Sequence, residues 1–120
     1  MQYDITPVPK PRMTQRDKWQ KRPAVLRYRE FCDRVRDAGI EIQQQGTAIA
    51  FYLPMPKSWS QKKREEMDGQ PHRQKPDLDN LIKALLDAVH DEDCDVWSLA
   101  AEKRWAQTGA IKIKTEAVCS

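Results

Sequence analysis

Apolar residues recur at helical spacing in two stretches of the chain and at strand spacing elsewhere, so the pattern alone lays out an order of elements. From about Pro23 to Ala38, the positions Ala24, Tyr28, Phe31, Val35 and Ala38 mark one face of an amphipathic helix, and Gly39 offers the left-handed stop that ends one. Leu81, Ile82, Leu85, Leu86 and Val89 form a second helical stripe, with Asp79, Asn80, Lys83 and Asp87 on the opposite side. Thr47 to Leu53 alternates Ile49, Phe51 and Leu53 with smaller partners and stops at Pro54, which predicts a strand. Tyr3 to Thr6 predicts a short strand ended by the run Pro7-Val8-Pro9-Lys10-Pro11-Arg12, whose missing amide donors prevent further sheet pairing.

Between Pro54 and Pro76 the chain turns basic and polar. Ser58 to Met67 fits a short helix stopped by Gly69 and fits a mobile loop equally well. Val96 to Ala106 and Ala110 to Glu116 predict two strands joined as a hairpin by Gln107-Thr108-Gly109, with Ile111 and Ile113 alternating against Lys112 and Lys114. The order predicts an α+β fold in which a small mixed or antiparallel sheet packs against two main helices. At 120 residues, one domain over 1–120 is expected.

Charge sharpens this picture. The formal net charge is only +3, but Lys10, Arg12, Arg16, Lys18, Lys21, Arg22, Arg27, Arg29, Arg34 and Arg36 crowd the first third. A second basic group, Lys57, Lys62, Lys63, Arg64, Arg73 and Lys75, leads into an acidic segment containing Asp77, Asp79, Asp87, Asp91, Glu92, Asp93 and Asp95. Basic approaches around an acidic centre suit a polyanion whose phosphate must reach a metal, so Lys10, Arg12, Lys62, Lys63, Arg64, Arg73 and Lys75 are candidate nucleic-acid contacts. No apolar run is long enough for a membrane span and the N-terminal residues show no charged-then-apolar leader pattern before a cleavage site, so a soluble, cytoplasmic protein is expected. Cys32, Cys94 and Cys119 are odd in number and lack close spacing, which argues for reduced thiols.

The most informative stretch is Lys75-Pro76-Asp77-Leu78-Asp79-Asn80-Leu81-Ile82-Lys83-Ala84. Pro76 disfavours helix in the residue before it and suits a first turn, so the helix starts beside the aspartates. Asp79 and Lys83 then stand one turn apart on one face. Hydrolysis of a phosphodiester needs charge neutralisation, an activated water and a stabilised leaving oxygen. A divalent ion held by Asp77, Asp79 and one downstream acid supplies these, with Lys83 aimed at the developing phosphorane charge.

Blander readings compete. Asp77 can be a helix cap, Asp79 a partner of the helix dipole and Asp79 with Lys83 an exposed ion pair. Asp91, Asp93, Asp95 and Glu102 fall on a calcium-loop spacing, but Val96 stands where that loop needs glycine and no exit helix is predicted. His90 and Cys94 sit four apart without the second ligand pair a zinc site needs. Trp97 and Trp105 are expected in the core, whereas Trp19 and Trp59, lying among basic residues, are the better candidates for stacking on bases. His72 reads equally as a solvated loop residue and as a phosphate or metal contact.

The Lys75-to-Ala84 stretch followed by the acidic turn Asp91 to Asp95 resembles the signature of RusA-type Holliday junction resolvases. The proline-rich arm, the first helix, the Pro56-Lys57-Ser58-Trp59-Ser60 loop and the closing strands extend the likeness over most of the chain. The resemblance implies Asp77, Asp79 and Asp93 as metal-binding catalytic carboxylates, with Asp91, Glu92 or Asp95 as alternatives for the third, and Lys83 as the catalytic lysine. It further implies a magnesium-dependent (or manganese-dependent) endodeoxyribonuclease, acting as a homodimer on branched DNA such as four-way junctions in recombination and repair. The alternative is a DNA-binding protein without catalysis, whose acids are structural.

Overall fold

The computed structural model describes residues 2–11, 23–42, 45–89 and 96–115. Arg12, Trp19, His90, Asp91, Glu92, Asp93, Cys94 and Asp95 lie outside these. In chain order the elements are β1 (Gln2–Tyr3), α1 (Pro23–Asp37), β2 (Thr47–Pro54), α2 (Gln61–Met67), α3 (Leu78–Val89), β3 (Leu99–Ala106) and β4 (Ala110–Thr115). The α+β class holds: one four-stranded mixed sheet of order β1-β4-β2-β3, with the helices.

Strand β2 owes its central place to its composition. Thr47 to Leu53 is the least polar strand, and burying it between two neighbours removes Ile49, Phe51 and Leu53 from water. It pairs in parallel with β3, from Thr47 opposite Leu99 to Pro54 opposite Ala106. On its other side it pairs antiparallel with β4, from Thr47 opposite Thr115 to Tyr52 opposite Ala110.

The expected hairpin of the last two strands is therefore corrected, because β2 lies between them. Glu102, Lys103 and Arg104 make β3 too polar for a central position, and Gln107-Thr108-Gly109 carries the chain past the end of β2 instead of folding it back on itself. That link crosses two strand spacings, about 10 Å, which three residues and their flanks can reach. The first strand is also shorter than expected: among the described residues it pairs through Gln2 and Tyr3, with Lys112 and Ile111.

Helix α1 buries Val25, Tyr28, Phe31, Cys32 and Val35, while Ala38 is exposed, so the buried stripe is rotated from the one its alanines suggested. Branched and aromatic side chains bury more surface than alanine, and they set the rotation. Helix α3 buries Leu81, Ala84, Leu85, Leu86 and Ala88, packs against α1 and joins the core that lines the sheet. Near the C-terminal end of α3, Arg36 Nε donates to the Ala88 carbonyl at 3.2 Å, meeting one of the acceptors a helix end leaves open. Burial, together with a hydrogen bond to Cys32, raises the Tyr28 hydroxyl well above the ordinary phenol value. Among the described residues no helix is long and apolar enough to cross a membrane.

The segment Gln61–Met67, which fits helix and mobile loop equally by sequence, is helix α2. Ser60 caps it, its Oγ accepting from the Lys63 amide at 3.2 Å, and Gly69 follows at φ 79°. Arg64 ties the helix down through the Pro56 carbonyl at 3.0 Å and Gln107 Oε1 at 3.3 Å.

Gly109 allows the β3-to-β4 link to pass against the N-terminal segment. A Cβ there would lie 2.7 Å from the Thr6 Cα and 2.4 Å from its Oγ1. Gly109→Ala should cost about 1–3 kcal/mol, as overpacking does; urea unfolding checks this, and an unchanged midpoint would contradict the packing.

Candidate active site

The chain reaches the acidic helix by running along the outer edge of β3. The Gly69 amide donates to the Trp105 carbonyl at 2.9 Å, the Trp105 amide to the Gln70 carbonyl at 3.0 Å and the His72 amide to the Lys103 carbonyl at 3.0 Å. Pro71 bridges Arg104 in antiparallel register, and Arg104 also reaches the Gly69 carbonyl at 2.7 Å. This pairing covers an edge that would otherwise expose open donors and acceptors. It also fixes where the loop to Asp77 departs.

His72 is the anchor of that departure. It is 6 % exposed, its ring packs 4.0 Å from that of Trp105, and its Nδ1 accepts from the Gln74 amide at 3.4 Å. Burial lowers its pKa, and the charge of Lys103 lowers it further. His72 is thus not the solvated loop residue its sequence context allowed; it is a buried ring holding the loop.

Beyond His72, Lys103 Nζ donates to the carbonyls of Gln74 and of Pro76, the latter at 2.7 Å. Asp77 follows at once. Its carbonyl accepts from the Leu81 amide at 3.2 Å, the first bond of α3, so its backbone stands at the capping position. Its carboxylate does not act as the cap: unlike Ser60, it accepts no helix amide among the described residues. Asp79, in the first turn, and Lys83, one turn later, are exposed, and they form no ion pair with each other or with any described residue. The capping and ion-pair readings are therefore not realised in this part of the molecule.

A groove of about 470 Å³ opens beside these residues, lined by Pro9, Lys10, Lys75, Pro76, Asp77 and Asn80. It brings together three residues singled out separately in the sequence: Lys10 of the arm, Lys75 of the second basic group and Asp77. The arm is docked there, its Lys10 amide facing the Asn80 carbonyl at 3.5 Å and its Lys10 ammonium paired with Asp87. Lys10 therefore already has an anionic partner, which its sequence context did not indicate.

The other basic candidates are spread differently. Lys62, Arg73 and Lys75 are exposed. Lys63 stands 4.3 Å from the centre of the Trp59 ring, and Arg64 is used to fasten α2. Trp59 is half-buried with its ring 4.7 Å from that of Trp105, so it is already engaged. Trp105 is in the core as expected, whereas Trp97 is 72 % exposed and corrects the expectation of burial. It precedes β3 by two residues, outside the paired length that would have covered it. Glu102 lies on β3 and pairs with Arg104 at 2.7 Å, consistent with the missing exit helix of the calcium reading.

Asp77 and Asp79 fit a hard divalent ion in kind: they are oxygen donors, exposed, and without a partner among the described residues. The described residues hold no cluster of three or more His, Cys, Asp or Glu side chains, and the third expected carboxylate, Asp93, falls outside them. The residues that sequence reasoning missed are His72 as anchor and Lys103 as fastener. Lys103 had a signal, since it shares the inward strand phase of Ala101 and Trp105, an unusual place for a lysine.

In comparisons with known proteins, the chain is similar to the family described as Endodeoxyribonuclease RusA, whose model matches residues 4–116. No curated protein and no solved structure matches it.

Because the folded state disfavours charged His72, this residue contributes stability that is full above the ordinary histidine pKa of about 6.5 and is lost as pH falls below it. The unfolding temperature should fall between pH 7.5 and 5, and His72→Gln should show a smaller fall. Equal falls in the two proteins would contradict the neutral anchor.

Proposed function

Since the chain belongs to the RusA endodeoxyribonuclease family, we propose that it is a divalent-metal-dependent, structure-selective nuclease that resolves four-way DNA junctions in recombination and repair. The observation that carries this reading is the pair of exposed carboxylates, Asp77 and Asp79, unpartnered among the described residues at the start of α3, beside a groove that also holds Lys75.

Asp77 and Asp79 would hold magnesium, or manganese in its place, with Asp93 as the third carboxylate that the family likeness implies and Asp91, Glu92 and Asp95 as its alternatives. Magnesium keeps several waters and needs only one or two protein carboxylates, so this donor set is chemically adequate. When bound, such an ion neutralises phosphate oxygens, activates a water and stabilises the leaving oxygen. The chain's own part is to place the strand. Lys83, one helical turn from Asp79, offers positive charge to the phosphate, and Lys75 at the groove wall offers a phosphate contact. Lys62, Lys63, Arg64 and Arg73 extend the cationic approach, and Arg12 continues the arm that Lys10 anchors. Lys10 contributes to DNA binding only by exchanging Asp87 for a phosphate.

In this reading, residues 1–120 act as one domain and two copies form a homodimer inside the cell. A four-way junction is resolved by two symmetry-related nicks, and a two-fold assembly presents two identical sites to it. Phosphate contacts dominate such binding, so affinity should drop steeply as salt rises.

The test is a synthetic four-way junction with and without magnesium. Wild type should nick it only with the ion. Asp77→Asn and Asp79→Asn should each bind it comparably and lose at least about a hundredfold in rate, the scale of removing groups that stabilise transition-state charge. Binding without nicking by wild type would instead favour the DNA-binding protein with structural acids.

A further inference from the structure

We infer that Lys103 is the positioning residue of the carboxylate site: its ammonium fixes the backbone that presents Asp77, by bonding two carbonyls of the loop that leads to it, those of Gln74 and Pro76. The inference deepens the nuclease reading and rests on it for the identity of Asp77 as a metal ligand.

Three observations converge on it. From Arg73 to Pro76 the loop makes no backbone-to-backbone hydrogen bond among the described residues. Its fastenings there are the Gln74 amide to His72 and the two carbonyls to Lys103. Without Lys103, one side-chain hydrogen bond, from the Gln74 amide to His72, would remain among the described residues to hold the four residues before Asp77. Second, the fastener stands on a rigid base. Lys103 lies within β3, opposite Phe51 of the central strand, and its own carbonyl receives the His72 amide. One residue thus grips the loop at both ends, through its main chain at His72 and through its side chain at Gln74 and Pro76.

The third observation concerns cost. Lys103 occupies the same strand phase as Ala101 and Trp105 and is itself half-buried. A lysine in that phase loses hydration, which two carbonyl acceptors replace. An apolar side chain would fill the position more cheaply but would leave both carbonyls without these partners. The ammonium also adds to the burial that keeps His72 neutral, so the other fastening of the loop depends on it as well.

A carboxylate that binds metal must be held within a fraction of an ångström, and partners that orient ligands are worth about 10–100-fold in metal affinity or activity. The test compares wild type, Lys103→Met, which keeps the stem without the ammonium, and Lys103→Arg, which keeps donors and charge. Lys103→Gln serves in place of the methionine variant if that variant does not fold. In the absence of DNA, backbone order parameters of Arg73, Gln74, Lys75 and Asp77 should fall below about 0.6 in Lys103→Met and stay near about 0.85 in wild type. With DNA and metal, Lys103→Met should bind the junction like wild type, nick it about 10–100-fold more slowly and need more magnesium for half-activation. Lys103→Arg should recover part of both.

Unchanged order parameters in Lys103→Met would overturn the fastening, and unchanged rate and magnesium midpoint with a loosened loop would overturn its role in the site. An inactive wild type whose loop still loosens in the variant would reject the nuclease reading while leaving the fastening standing.

Discussion

The edge of β3 is where fold and site are joined. A polar strand at the margin of a sheet exposes a row of amides and carbonyls, and here the Gly69-to-His72 segment takes up that row through Trp105 and Lys103. The same pairing that closes the sheet sets the path of the loop that ends at Asp77. The buried ring of His72 against Trp105 and the ammonium of Lys103 then hold a stretch that has no backbone pairing of its own among the described residues. An exposed acidic pair can thus be presented from a chain whose core lies elsewhere, in the apolar faces of α1, α3 and the sheet.

This division of labour explains why the acidic residues need no burial of their own. Leu81, Ala84 and Leu85 seat α3 in the core, so its first turn is fixed in space while Asp79 and Lys83 remain open to solvent. The arm contributes as well. Lys10 pairs with Asp87 of α3, and Pro9 and Lys10 line the same groove as Lys75 and Asp77. Both side chains of this pair are half-buried, and its value here is to place the arm.

Much of this was legible in the sequence, for physical reasons. The periodicity of α3, the alternation in β2 and β4 and the punctuation by Gly39 and Gly69 are local signals, and each element formed within a few residues of its expected span. What escaped was non-local. Strand order depends on which strand is apolar enough to be enclosed on both sides, and the short Gln107-to-Gly109 link misleadingly resembled a hairpin turn. Residue type alone places Trp97 in the core, yet exposure is decided by what packs over it. At the site, the motif carrying Asp77, Asp79 and Lys83 was visible as a pattern, whereas the fastening by His72 and Lys103 was not. A lysine on the inward phase of a strand was its only trace, and its acceptors are backbone carbonyls nearly thirty residues away, which no side-chain pattern encodes.

The central claim is that the carboxylates at the head of α3 bind a divalent ion. The most direct measurement is a crystal structure grown with manganese, read by its anomalous scattering. The account predicts a peak within bonding distance of an Asp77 or Asp79 carboxylate oxygen that vanishes in the Asp77→Asn, Asp79→Asn double variant. A manganese peak elsewhere on the molecule, with both carboxylates empty in an otherwise active protein, would contradict it.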